Sequence, residues 1–150
     1  MNKEKIIEAL KQIISAVKEI PEAEAAENGR FKTLSNGWVL DKALGIEWGP
    51  SSEKRMNFSE AEKYAAEKSG RLPTVKELRS LIDYDRRDPA IDTQFFKDTK
   101  SDDWYWTGTL LAGDSVRAWC VDFNYGYVYN GHKGVGFYVR PVRASQCLII

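Results

Sequence analysis

Apolar residues recur at helical spacing in the first twenty residues. They alternate four and three positions apart, which gives one seam with a period of about 3.5 residues, and Pro21 ends the pattern. We therefore predict an amphipathic helix over residues 3–20, followed over residues 21–30 by a polar helical extension or linker that a turn closes. The seam suits either packing on the rest of the chain or self-association, and both interpretations stand open. It consists of Ile6, Leu10, Ile13, Val17 and Ile20.

Short apolar runs separated by turn residues begin at Phe31. Residues 31–34 and 38–40 flank an Asn-Gly pair, so they predict two short strands, and residues 44–48 predict a third. Two helices are predicted next. The first has a capping-box spacing that begins at Ser59, with Asn57 as the alternative cap, and Gly70 is suited to its C-terminus. The second is predicted to begin at Thr74, which also starts a capping box.

The C-terminal third returns to strand patterns. Residues 104–109 are rich in aromatic and β-branched residues, residues 116–129 alternate, and residues 138–142 read as a last strand. The alternation predicts that Trp119, Val121 and Phe123 face the core while Cys120, Asp122 and Asn124 face outward. The whole pattern predicts an α+β fold with two helices and a small mixed, mostly antiparallel sheet.

An acidic segment without periodicity, residues 83–103, is predicted to be a loop. Its aspartates suggest calcium binding, because hard cations bind several carboxylate oxygens. The spacing matches no EF-hand loop, however, and Arg86 and Arg87 lie among the aspartates. We therefore expect ion pairing and capping here, with no metal and no cofactor.

Composition narrows the range of functions. Among 150 residues, 22 Lys and Arg balance 22 Asp and Glu, so no overall charge attracts nucleic acid or an anionic membrane. No apolar run is long enough to span a membrane, and the charged N-terminal helix does not resemble a signal peptide. The expected location is cytoplasmic or virion-associated, with surface display only through a partner or a non-standard route. The two cysteines, Cys120 and Cys147, could form one bridge, but two free thiols are expected.

Residues 118–143 combine tyrosines with glycines, asparagines and the only histidine. This mixture is typical of binding surfaces, where Tyr supplies contact area at low entropic cost and Gly and Asn adapt to a partner. Catalysis is not expected, because no nucleophile, base and orienting group can be named around His132. Nucleic-acid binding through Arg117, Lys133, Arg140 and Arg143 is considered and not favoured, because such scattered cations usually pair with carboxylates or remain solvated.

Four separated segments, in order, resemble one bacterial and phage domain family, which also ends a collagen-like adhesin. They are RLPTVKELRSLIDYDR (71–86), PAIDTQFF (89–96), YWTGT (105–109) and AWCVDFNYGYVYNGHKGVGFYVRPVR (118–143). The resemblance covers about residues 31–143. It implies a fold similar to C-type lectins and to formylglycine-generating enzymes for the ligand-binding domain, residues 31–150. The N-terminal helix and linker, residues 1–30, lie outside the resemblance. The paired cysteines that such enzymes use have no evident counterpart in Cys120 and Cys147.

Within this family, the final segment resembles that of variable proteins diversified by retroelements. There, adenine randomisation changes Asn codons among fixed residues, which here correspond to Trp119, Val121, Phe123, Gly126, Val128, Lys133 and residues 138–143. Every intervening residue can be encoded by a codon ending in a pyrimidine, and none is Lys, Glu, Gln, Met or Trp. These candidate variable, ligand-binding positions are Cys120, Asp122, Asn124, Tyr125, Tyr127, Tyr129, Asn130, Gly131, His132, Gly134, Val135, Gly136 and Phe137.

The resemblance therefore implies a ligand-binding, receptor-recognition protein that displays diversified residues to a protein or glycan partner. Tyr125, Tyr127, Tyr129 and Phe137 would be its aromatic anchors. Polar contacts would come from Asp122, Asn124, Asn130 and His132. The alternative is an undiversified, adhesin-like glycan- or protein-binding module of the same family.

Overall fold

The computed structural model describes residues 3–7 and 27–146. Residues 3–7 are helical, as the start of the predicted N-terminal helix requires. The rest of that helix, including the seam from Leu10 to Ile20, lies outside the described residues, as do residues 21–26 of the predicted linker and the C-terminal residues 147–150 with Cys147.

A four-stranded antiparallel sheet joins the two ends of the described domain. Its strand order is β1-β2-β3-β7, and Gly37 turns the chain between the first two strands with a φ of 89°. The three predicted N-terminal strands are therefore confirmed. The strands are β1 (Phe31–Thr33), β2 (Val39–Asp41), β3 (Ile46–Trp48) and β7 (Val142–Ala144).

Three longer strands form a second antiparallel sheet, β4 (Trp104–Leu111), β5 (Asp114–Asp122) and β6 (Val128–His132), in that order. The α+β class is confirmed, but the prediction of a single sheet is wrong. The reason lies in the last strand, for which the sequence predicts residues 138–142. Only Val142 of that range is in β7, and β7 pairs with β3, whereas Tyr138 makes just an isolated parallel bridge to Tyr105.

The first helix, α1 (Phe58–Glu67), is capped two residues before the capping box predicted at Ser59, at the alternative cap. Asn57 is the cap: its Oδ1 accepts from the Glu60 N–H at 2.9 Å, and Glu60 Oε1 accepts from the Asn57 N–H at 3.1 Å. Ser59 is instead an exposed residue inside the helix. The cap precedes Phe58 because that buried ring already belongs to the helical face that packs on the core.

Gly70 has a different role from the one predicted. The left-handed position after α1 is taken by Ser69, with a φ of 62°. A Cβ on Gly70 would lie 2.5 Å from the Val142 carbonyl oxygen, so Gly70 allows two backbone segments to approach each other. The second helix, α2 (Val75–Arg79), has the predicted capping box of Thr74 and Glu77.

The second sheet is buried on both faces around β5. Since neighbouring side chains on a strand point to opposite faces, Tyr105 and Val121 enter one core cluster while Trp106 and Ala118 enter another. The first cluster also holds Trp48, Leu78, Phe96 and Phe123, and the second holds Phe58, Ala61 and Val139. No helix of the described residues is both long and apolar enough to cross a membrane.

Candidate functional site

The β5–β6 connection forms a turn that the Asp122 carboxylate caps. Its Oδ1 accepts from the Asn124 N–H at 3.0 Å and its Oδ2 from the Tyr125 N–H at 3.1 Å. Gly126 follows with a φ of 95°, and a Cβ there would lie 2.6 Å from Cγ2 of Ile82. The predicted outward orientation of Asp122 is wrong, because the residue is only 8% exposed and its carboxylate caps the turn.

Three tyrosines stand out from this turn and from β6. Tyr125, Tyr127 and Tyr129 are 52%, 61% and 60% exposed. The rings of Tyr125 and Tyr127 lie 5.9 Å apart, and Tyr129 lies 6.2 Å from the ring of the half-buried Trp104. We call these four residues the tyrosine surface. Its base is fixed, because Val121 and Phe123 are fully buried and Val128 packs against the same core cluster.

Besides Asp122, two more of the candidate variable positions are buried beneath this region. Cys120 is 1% exposed and lies between Trp106 and Tyr129 in the register of the sheet. Gly131 is also buried, and a Cβ there would lie 2.6 Å from Cε2 of Phe137. The prediction that Cys120 faces outward is wrong, because the second core cluster covers that face of β5.

Phe137 contributes to packing more than to the surface. Its half-buried ring lies 4.6 Å from that of Trp106, and its backbone exchanges two hydrogen bonds with Met56, at 2.8 and 3.0 Å. Phe137 is therefore poorly placed to be the aromatic anchor that the sequence suggested. The exposed part of this loop consists of Gly134, Val135 and Gly136, together with His132.

The polar candidates differ in what they already bind. Asn130 is half-buried and its Oδ1 accepts from Arg117 Nε at 2.7 Å, whereas His132 is exposed and its Nδ1 accepts from the Gly134 N–H at 3.0 Å. Asn124 is half-buried, and its carbonyl accepts from the Asp88 N–H at 2.7 Å. These bonds shape the loops around the tyrosine surface.

A family model described as the Lcl C-terminal domain matches residues 37–143, well over half of the chain. The chain belongs to the Lcl C-terminal domain family. The suspected family is thereby confirmed, and membership indicates an adhesin-like C-terminal module. Searches of curated proteins and of solved structures each gave no significant match.

In this Lcl C-terminal domain, two of the cations considered for nucleic-acid contact are paired. Arg140 is buried and donates to Asp98 at 2.7 Å, and Arg143 pairs with Glu47 at 3.1 Å while its guanidinium lies 3.9 Å from the Trp38 ring centroid. Burial acts to raise the pKa of the Asp98 carboxyl, but the Arg140 guanidinium outweighs burial and the pKa lies below its ordinary value. Both arginines are therefore engaged in ion pairs within the domain.

The acidic loop forms the expected ion pairs. Arg86 contacts Asp83 at 3.1 Å and Asp92 at 3.9 Å, and Asp88 accepts from the Ser101 hydroxyl at 2.6 Å. Among residues 3–7 and 27–146, no group of three or more His, Cys, Asp or Glu side chains could hold a metal ion.

Sequence reasoning missed Tyr84, the most exposed large aromatic residue of the described chain at 72%. Its ring lies beside Gly126, 3.4 Å from the place a Cβ would occupy. It therefore extends the aromatic region from Tyr125 toward residues 83–92. The sequence signal that could have identified it is an aromatic residue among charged residues of a predicted loop, where it is not expected to pack in the core.

Cys120 gives a first testable expectation. Burial raises the pKa of its thiol to about 12, so little thiolate forms near neutral pH. In a Cys147→Ser variant, iodoacetamide at pH 8 should label the native protein much more slowly than the protein unfolded in urea. Mass spectrometry measures both rates. Equal rates would contradict the buried position of Cys120.

Proposed function

We propose that this chain is a ligand-binding module that meets its partner through the tyrosine surface, as a variable protein of a diversity-generating retroelement on a C-type-lectin-like scaffold. The observation that carries the proposal is the row of three exposed tyrosines on a turn whose base is locked into the core. Large exposed aromatic side chains on rigid backbone lose little entropy on binding and are frequent at the energetic centres of interfaces.

The candidate variable positions divide into two groups by environment. We propose that the exposed or half-exposed ones contact the ligand and that four others, Cys120, Asp122, Gly131 and Phe137, restrict which residues the fold accepts. This division supports diversification only in part, since a randomised Asp122 would lose both hydrogen bonds that cap the turn. The contact group is Asn124, Tyr125, Tyr127, Tyr129, Asn130, His132, Gly134, Val135 and Gly136.

The encoding DNA tests diversification directly. A nearby near-copy of the segment for residues 118–143, with adenines at the candidate positions and a reverse transcriptase gene beside it, is the expected finding. A neighbourhood without either feature would leave the undiversified, adhesin-like binding module, which family membership alone already favours.

Two displayed libraries test the division of the site. One randomises the exposed positions Tyr125, Tyr127, Tyr129 and Val135, and the matched library randomises the four restricting positions. Most clones of the first library should resist protease, because surface substitutions usually change stability by only about ±0.5 kcal/mol. Few clones of the second should survive, because substitutions there disturb packing or the turn. Equal survival in both libraries would contradict the proposed division.

We propose binding without catalysis. The one cysteine in the described residues is buried with a raised pKa, which is the opposite of an activated nucleophile. The only histidine, His132, accepts a hydrogen bond at Nδ1 from the Gly134 N–H of its own loop, so this nitrogen is already engaged.

We also propose that binding needs no metal ion. A ligand captured from the first library should therefore stay bound when EDTA is added, and its release would instead point to a metal-dependent contact.

A further inference from the structure

A depression adjoins the tyrosine surface but is built mainly from residues outside the candidate variable stretch. It has a volume of about 340 Å³ and is lined by Tyr84, Asp85, Arg86, Arg87 and Tyr125. That volume lies at the low end of the roughly 300–1,000 Å³ of ligand pockets. Tyr84 and Tyr125 provide two largely exposed rings, 72% and 52%. Only Tyr125 belongs to the candidate variable positions, so the other lining residues would be constant.

The two arginines in this depression differ in availability. The Arg86 guanidinium is engaged by Asp83 at 3.1 Å and by Asp92 at 3.9 Å. Arg87 is exposed, and its side chain has neither an ion pair nor a hydrogen bond with any residue that the structure describes. Arg87 therefore offers a complete set of guanidinium donors beside two aromatic rings, a combination suited to a planar carboxylate.

The charges around Arg87 limit the kind of partner. Asp85 lines the same depression, and Asp83 and Asp92 lie close by on Arg86. A polyanion such as a sulfated glycan or a nucleic acid would bring several negative charges against these carboxylates. A protein segment with one carboxylate next to an aromatic or aliphatic residue would meet the free guanidinium and the tyrosine rings with less repulsion, because it brings a single negative charge.

We propose that Tyr84 and Arg87 form a constant subsite that binds a Glu or Asp side chain of a protein ligand next to the variable tyrosine surface. The inference rests on the proposed function, since it assigns a partner class to that surface. Diversification of Tyr125 would then change one wall of the subsite while Arg87 keeps its preference for a carboxylate.

Selection of linear peptides from a random phage-displayed library tests this subsite. The full chain, Arg87→Gln and Arg79→Gln are immobilised in parallel, and Arg79 is the matched control because it is exposed and lies outside the depression. Peptides selected on the unaltered chain and on Arg79→Gln should be enriched in Glu and Asp. Arg87→Gln should lose this enrichment, and its Kd for one selected acidic peptide should rise about tenfold, as expected for loss of a charge-assisted hydrogen bond.

The outcomes separate the subsite from the tyrosine surface. A Tyr127→Ala/Tyr129→Ala variant that still selects the same peptides would overturn the proposed function, whereas unchanged acidic enrichment on Arg87→Gln would overturn the subsite alone. Recovery of no peptide, or displacement of the acidic peptide by a heparin oligosaccharide that itself requires Arg87, would also overturn the subsite. Thermal unfolding of Arg87→Gln should match that of the unaltered chain, since the exposed side chain has no ion pair or hydrogen bond with the described residues.

Discussion

Replacing Asp41 with alanine is expected to destabilise the domain by about 3 kcal/mol, the low end of the cost of removing one partner from a buried charged pair, because the Arg30 side chain is 30% exposed and stays partly solvated. Asp41 is fully buried. Its carboxylate accepts from Arg30 at 3.0 and 2.8 Å and from the Trp48 indole N–H at 3.0 Å. It also accepts from two backbone N–H groups of the β2–β3 turn, at 3.2 and 3.3 Å.

The cost is large because five hydrogen bonds to the carboxylate would be lost at once, and among their donors Arg30 keeps other acceptors, the carbonyl and hydroxyl oxygens of Ser80. The indole of Trp48 is 1% exposed and cannot turn to water. Urea unfolding at pH 7 measures the effect as a lower midpoint. Asp41→Asn separates charge from shape, and it should also destabilise, because its amide group would present a donor to Arg30 or Trp48. The control is Glu53→Ala, which removes an ion pair to Lys100 from an 85% exposed side chain and should leave the midpoint unchanged. A similar midpoint for Asp41→Ala and Glu53→Ala would refute this account.

Local patterns predicted the strands and the family well, because each signal lies within a few residues. The Asn-Gly turn before β2, the aromatic run of β4 and the capping box at Thr74 all appear as expected. The split into two sheets could not be predicted in this way. It depends on β7 returning to β3 across almost the whole domain, and no local pattern of residues 138–144 encodes that pairing.

The candidate site shows the same limit. Alternation correctly placed Val121 and Phe123 in the core, but Trp119 is only half-buried and belongs to neither core cluster. The alternation also assigned the opposite face to solvent. Alternation distinguishes two faces and cannot show that both are covered. Here α1 and residues 137–139 cover the second face, so Cys120 is buried beside Trp106 of the neighbouring strand β4. Tyr129 pairs with Cys120 from the other side, in β6, and remains exposed. Exposure was thus predictable for the tyrosines of the turn and not for the centre of the sheet.

Gly131 and Phe137 lie against each other, so substitutions at these two candidate variable positions are not independent. A Cβ on Gly131 would lie 2.6 Å from Cε2 and 3.0 Å from Cζ of Phe137. The Phe137 ring is held in place by Trp106 at 4.6 Å, so it has little freedom to withdraw. A larger residue at position 131 therefore requires a smaller one at position 137, and we expect the two positions to accept substitutions as a pair.

A double-mutant cycle measures this coupling. Gly131→Val should destabilise by about 1–3 kcal/mol through overpacking, and Phe137→Ala should destabilise by about 2–3 kcal/mol, somewhat below the range for a fully buried Phe because the ring is half-buried. The combined variant should be about 1–2 kcal/mol more stable than the sum predicts, since the valine fills space that the ring leaves. Tyr125→Ala combined with Phe137→Ala is the control pair and should be additive within about 0.5 kcal/mol. Additivity of the Gly131 and Phe137 changes would mean that the two positions vary independently, and the fold would then place no joint limit on which ligand surfaces this stretch can display.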